Sequence, residues 1–254
     1  MDDPNEPDVW PPPRDLISKE DWDGFMTLPT DVVLKTTSYE GSWASRVHRL
    51  ASDWIGACPM DPQAAPFMHA PALIAFEEFD AAVFNAIHGY YRQAFNCMRN
   101  ALETLAIAAG FAVTRNAVEF DEWRNGEEIF IGKARRFLEN SSNGRRIDRT
   151  VTLPIFGEDK SNHWLIRQYD QLGDYTHGNP GHTNMDLWRS NGPIFVPAVL
   201  RSVEDELRET LALAYLLLKL GWNSYQRTEG IAKLLSGSTT GWQEYQEFLI
   251  SELL

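Results

Sequence analysis

The sequence predicts an all-α protein: a helical bundle of four to five core helices with long irregular loops, an extended N-terminal arm and extra C-terminal helices. Apolar residues recur at three- and four-residue steps through Leu73, Phe76, Phe79, Val83, Phe84, Ile87, Tyr91, Phe95, Met98, Leu102 and Leu105, one helix face too long and regular for strands. No convincing run alternates apolar and polar residues, and nothing repeats at a fixed period. With 254 residues and 43% apolar content, the chain can bury one large core without covalent staples.

Taken in order, residues 1–30 read as an acidic arm, because "MDDPNEPDVWPPPRD" is rich in proline and short of aliphatic side chains. "SKEDWDGF" starts a short helix with Ser18 as its N-cap, and Gly24 and Pro29 are expected to keep it short. Residues 31–254 form a single helical domain. Trp43, Val47, Leu50, Ala51 and Trp54 mark its first helix face, and the prolines of "CPMDPQAAPFMHAP" make a connection. Gly89 kinks the long central element or divides it, giving helices over about 71–88 and 90–112. Further helices are expected over about 127–140, 161–177 and 197–220, with a terminal pair near 224–235 and 241–253. Irregular loops fill 113–126, 141–160 and 178–196.

Charge is unevenly placed. The net charge is −13, of which residues 1–31 carry −7. Between 133 and 149 the sign reverses: Lys133, Arg135, Arg136, Arg145, Arg146 and Arg149 face only Glu139 and Asp148. Such a cluster suits phosphate groups, and it equally suits a solvated helix end. "TLALAYLLLKLGW" falls short of the ~20 apolar residues a membrane span needs and reads as a buried helix. Cys58 and Cys97 form no CxxC pair and no secretory start precedes them, so the reduced cytoplasm is the expected location.

Two polar stripes carry the candidate chemistry. Along the central element, His88, Arg92, Arg99 and Glu103 fall within a narrow angular range beside the apolar face when one helical count is carried through. Arg99 before Glu103 is the less favourable order for an i,i+4 pair, which points to tertiary partners. On the 161–177 helix, Leu165, Tyr169, Leu172 and Thr176 make the buried face, and Asp170, Asp174 and His177 gather on its flank. A helix C-terminus and a nearby carboxylate both favour imidazolium, so His177 is a candidate acid with a proton held near neutral pH. Gly178 permits the turn that ends the helix, and the loop "GNPGHTNMDLWRSNGP" reads as ordered and folded back on the protein.

Asp174, His177, His182 and Asp186 offer metal-type ligands in no strong spacing, and no metal or cofactor is expected. GxSxG, P-loop and GxGxxG motifs are all missing.

"GYYRQAFNCMRNALETLAI", with Arg99 and Glu103, together with "YDQLGDYTHG" resembles the HEPN-like superfamily of bacterial helical domains, and in particular a branch common among mobile and defence-associated genes. The resemblance covers about residues 70–220. It implies a bundle of four to five helices, often dimeric, with polar residues of two helices meeting in a groove. Active members are metal-independent ribonucleases, so the resemblance implies RNA or a nucleotide as ligand, a toxin or phage-defence setting, and a homodimer. The family's histidine position falls on His177, and Arg99 with Glu103 match the polar helix pair of this branch. With Asp174 from the flank of the 161–177 helix they make the candidate catalytic set, and the positive charge along the chain adds Arg92, Arg135, Arg136, Arg145 and Arg146 as candidate phosphate contacts. Active members place four to six residues between arginine and histidine, whereas nine separate Arg167 from His177. The alternative is a non-enzymatic interaction or regulatory module in which these polar residues fasten helices, with the acidic arm as a handle for a protein partner.

Overall fold

The computed structural model describes residues 18–40, 42–157, 163–177, 192–222, 224–225, 227–236 and 245–253, without the side chains of residues 19, 20, 25, 26 and 177. The described residues form eleven α-helices and no strand: α1 (Lys19–Ser38), α2 (Trp43–Asp53), α3 (His69–Ile87), α4 (Tyr91–Thr114), α5 (Ala117–Arg124), α6 (Ile131–Asn140), α7 (Ser142–Thr150), α8 (Trp164–His177), α9 (Pro197–Gly221), α10 (Glu229–Ser236) and α11 (Gln246–Leu253). Among them, none is long and apolar enough to cross a membrane.

α4 is the axis of the bundle, packed by α3, α6, α8 and α9. Its sequence explains why. Phe95, Met98, Leu102 and Leu105 continue the helical stripe, and from Leu105 to Phe111 every residue is buried, so its second half is apolar on all sides. α9 is similar, with every residue from Glu209 to Leu218 buried. α2 joins this core when the Trp43 indole N–H donates to the Leu200 carbonyl at 3.0 Å. Gly89 divides the central element. It adopts φ +78°, and a Cβ there would lie 2.3 Å from the Ile194 carbonyl oxygen, so only glycine lets that strand of backbone close over the turn.

Three parts differ from the expectation. α1 is no short helix: it runs through Gly24 and Pro29 to Ser38, anchored by Val32 and Thr36, which are buried one turn apart. The donor missing at Pro29 is tolerated on a peripheral helix whose free carbonyl can meet water. The 113–126 segment contains α5, whose Phe120 and Trp123 join Phe67, Ile107, Phe111 and Phe137 in a second, aromatic cluster. The 141–160 segment contains α7, started by Ser141, whose hydroxyl accepts from the Gly144 N–H at 2.9 Å. The arm before residue 18 and the loop over 178–191 lie outside the described residues.

Candidate functional site

α4 and α8 run antiparallel, and their side chains fix the register. Arg92 Nη2 donates to the Thr176 carbonyl at 2.6 Å, while two turns further along α4 Arg99 Nη2 donates to the Tyr169 hydroxyl at 2.5 Å. The Arg99 guanidinium also lies 4.1 Å from the centre of the Tyr169 ring, a cation–π contact. The Tyr169 hydroxyl in turn donates to Glu103 Oε2 at 3.1 Å. One phenol therefore joins the arginine and the carboxylate that the α4 sequence places one turn apart.

Gly173 makes room opposite, since a Cβ there would be 3.7 Å from Arg99 Nε, and that buried nitrogen has no hydrogen-bond partner among the described residues. Burial, reinforced by Glu103, pushes the Tyr169 phenol up to about 12, so it holds its proton through neutral pH. Asp170 is raised by partial burial and by Asp174 on the same flank, with Arg99 opposing.

Among the expected catalytic residues, Arg99 and Glu103 meet, but through Tyr169, which periodicity assigned only to packing. Asp174 stands one turn beyond Asp170. His177 ends α8 at the Arg92 level, eight residues from Tyr169 and so about 12 Å along the axis at the helical rise per residue. Its side chain, like His182 and Asp186, lies outside the described residues. Among those described, no three His, Cys, Asp or Glu residues gather as a metal site.

The expected phosphate contacts are corrected in several places. Arg92 caps the last turn of α8. Arg135 is nearly buried, its Nη1 held by Glu139 and by the carbonyls of Phe156 and Gly157, because it stitches α6 to the segment that precedes α8. Arg146 forms a two-pronged bond with Glu252 at 2.7 and 2.8 Å, tying α7 to α11. Lys133 pairs with Glu119. None of these is an idle phosphate ligand. Arg136, Arg145 and Arg149 are exposed and make no ion pair among the described residues. Arg136 lines a cleft of about 460 Å³ together with Thr114 and Asn140, the last residues of α4 and α6, whose carbonyl ends weaken an anion's hold there. Nor does the 133–149 segment adjoin Arg99. α6 meets α4 at Gly110, about 16 Å along the axis from Arg99.

Sequence reasoning missed a third set of groups, between α8 and α9. Glu206 is buried, with its carboxylate accepting from Gln168 Nε2 at 2.8 Å and from Gln171 Nε2; Gln168 also donates to the Thr210 hydroxyl at 3.1 Å. Burial pushes the Glu206 carboxyl up to about 7, against the hydrogen bond from Gln168 and with the help of Glu209. Glu209 accepts from the Trp164 indole at 2.7 Å and lies 3.7 Å from Arg167. The signal was present: Glu206 sits in the α9 stripe of Val199, Val203, Leu207 and Thr210, a place where an acid needs a reason.

Compared with known proteins, the chain matches no family model, no curated protein and no solved structure.

Proposed function

We propose that this is a HEPN-like helical protein that binds RNA or a nucleotide through its phosphates, with α7 as the contact surface. The observation that carries this reading is the pair Arg145 and Arg149. They stand one turn apart on α7, exposed and with no ion pair to a carboxylate among the described residues, in a chain whose net charge is −13. Local positive charge kept against such a background favours a polyanion over a protein surface of mixed sign. Arg136, on the preceding helix, adds to the same field.

A second reading concerns the α4–α8 contact. Tyr169 takes up both Arg99 and Glu103, and Arg92 is occupied by the end of α8; these bonds favour a fastening role for the polar stripe and no cleavage. The two readings fit one molecule that binds without turnover.

Fluorescence anisotropy with labelled single-stranded RNA, at low and at physiological salt, tests the binding. The chain should bind, and R145E/R149E should weaken binding and flatten the salt slope by about 1.4, or 0.7 for each lost phosphate contact. Equal affinity in the variant, or no binding at low salt, would refute the proposal. Cleavage of the RNA in the presence of EDTA by wild type and not by His177→Ala would replace the binding-only reading with a metal-independent ribonuclease.

A further inference from the structure

We propose that the cleft at the C-terminal ends of α4 and α6 receives residues 6–10 of the N-terminal arm, "EPDVW", and that the docked arm lies over the α7 arginines. The cleft holds about 460 Å³. Val113 and Phe137 supply its apolar part, Thr114, Asn140 and Ser141 its polar edge, and Lys133 and Arg136 its cations; among the described residues no carboxylate lines it. Gly110 lets α6 lie close to α4 here, since a Cβ there would be 3.2 Å from the Ala134 carbonyl oxygen and 3.4 Å from the Phe137 ring.

The lining describes its occupant. Thr114 and Asn140 are the last residues of their helices, and helix ends leave carbonyls without intrahelical donors, so the cleft offers acceptors and disfavours a bare anion. It suits a flat apolar group with an N–H donor. Lys133 is paired with Glu119 and stands 5.7 Å from the centre of the Phe137 ring, which leaves Arg136 as the rim charge with no ion pair among the described residues. An indole answers the apolar part and the carbonyls, and acids beside it answer Arg136 and its neighbours on α7.

The chain contains such a segment. Residues 1–17 carry five acids and one base, a net of −4, with Trp10 their only aromatic residue. Residues 178–191 also hold a tryptophan, Trp188, but Asp186 is cancelled there by Arg189, so that stretch brings no net charge to a basic rim. Spacing favours the arm further. The Arg145 N–H donates to the Ser141 carbonyl at 3.1 Å, so from Ser141 in the cleft Arg145 and Arg149 stand one and two turns along α7, about 6 and 12 Å. Asp8 and Glu6 precede Trp10 by two and four residues, about 7 and 13 Å of extended chain. With the indole in the cleft and the chain laid along α7, each carboxylate meets an arginine. A residue before proline favours extended backbone, and Glu6 and Trp10 both stand before one; proline-rich segments enter aromatic-lined grooves in that form. Ser18, the cap of α1, follows Trp10 by eight residues, a reach of about 28 Å against a radius of gyration of about 18 Å for a compact chain of this length.

The docking needs no nucleic acid. That it covers a phosphate-binding surface rests on the function proposed above.

The test titrates a fluorescein-labelled peptide of residues 1–17 with the full chain carrying W10A, whose own arm has lost its anchor. The peptide should bind at low salt. A W10A peptide and an E6Q/D8N peptide should each bind roughly tenfold more weakly. So should the wild-type peptide to W10A chains that also carry R136E or R145E/R149E, all exposed positions, with helical circular dichroism unchanged. No binding, or equal binding by the W10A peptide or by the R136E chain, overturns the proposal. Binding instead by a peptide of residues 178–191 overturns it by giving the cleft to Trp188. In a second measurement, full-chain W10A should bind single-stranded RNA roughly threefold more tightly than wild type, because the arm no longer competes although the net charge is the same. Equal RNA affinity overturns the covering of α7. Peptide binding with no RNA bound by either chain would remove the phosphate reading of α7 and leave the docked arm standing.

Discussion

Tyr169 and Glu206 show how much a single polar atom decides in this protein. Tyr169→Phe keeps the ring under Arg99 and removes the hydroxyl shared with Glu103, leaving two half-buried charged groups short of a partner. The expected cost is about 1–2 kcal/mol in urea denaturation, with Arg99→Ala costing more because the cation–π contact goes as well; an unchanged midpoint in Tyr169→Phe would dissolve the proposed link. Glu206 acts in the opposite sense. Its folded pKa of about 7 lies above the ordinary 4.5, so the unfolded chain releases this proton at lower pH than the folded one. Stability from this group is complete below about pH 4.5 and lost as pH rises through 7. Glu206→Gln should therefore gain on the order of 3 kcal/mol over wild type above pH 8 and little at pH 4, measured by denaturation at both pH values. A gain that ignores pH would contradict the burial argument. The role of Tyr169 was not legible from spacing, and for Glu206 spacing marked only an acid inside an apolar stripe. The hydroxyl bridge needs the α4–α8 register, and the cost of Glu206 needs to be set against two glutamine amides 35 and 38 residues away.

At the scale of helices, length of apolar pattern decided what could be read. α3, α4, α8 and α9 carry stripes several turns long and were legible nearly to their ends. α7 buries only Gly144 and Ile147, and α5 only Phe120, too few positions for any period to emerge. α1 was shortened in expectation by Pro29, a local rule overridden by the burial of Val32 and Thr36. The Gly89 turn is the best test of how these helices are joined. Gly89→Ala meets both a left-handed backbone and the Ile194 carbonyl, so it should cost at least about 2 kcal/mol, seen as a lowered thermal midpoint. An unchanged midpoint would mean that the 192–196 segment does not lie over the turn. The candidate site was half legible for the same reason: Arg99 and Glu103 could be placed on one α4 face, but the α8 atom between them could not.

For the whole molecule, the arrangement separates burial from charge. Apolar packing concentrates on α4 and α9, while the exposed arginines Arg145 and Arg149 lie on another helix, α7. Between the two central helices, α8 has a different character. On one flank it is held by Arg92, Arg99 and Glu103, and on the other by Glu206 and Glu209 through Gln168, Gln171 and Trp164. Fat-like contacts grip harder on moderate warming and hardly notice protons, whereas bonds of this kind answer to acidity and to dissolved ions. The protein thus possesses, against its two oiliest helices, a rod whose seating can be tuned by the medium.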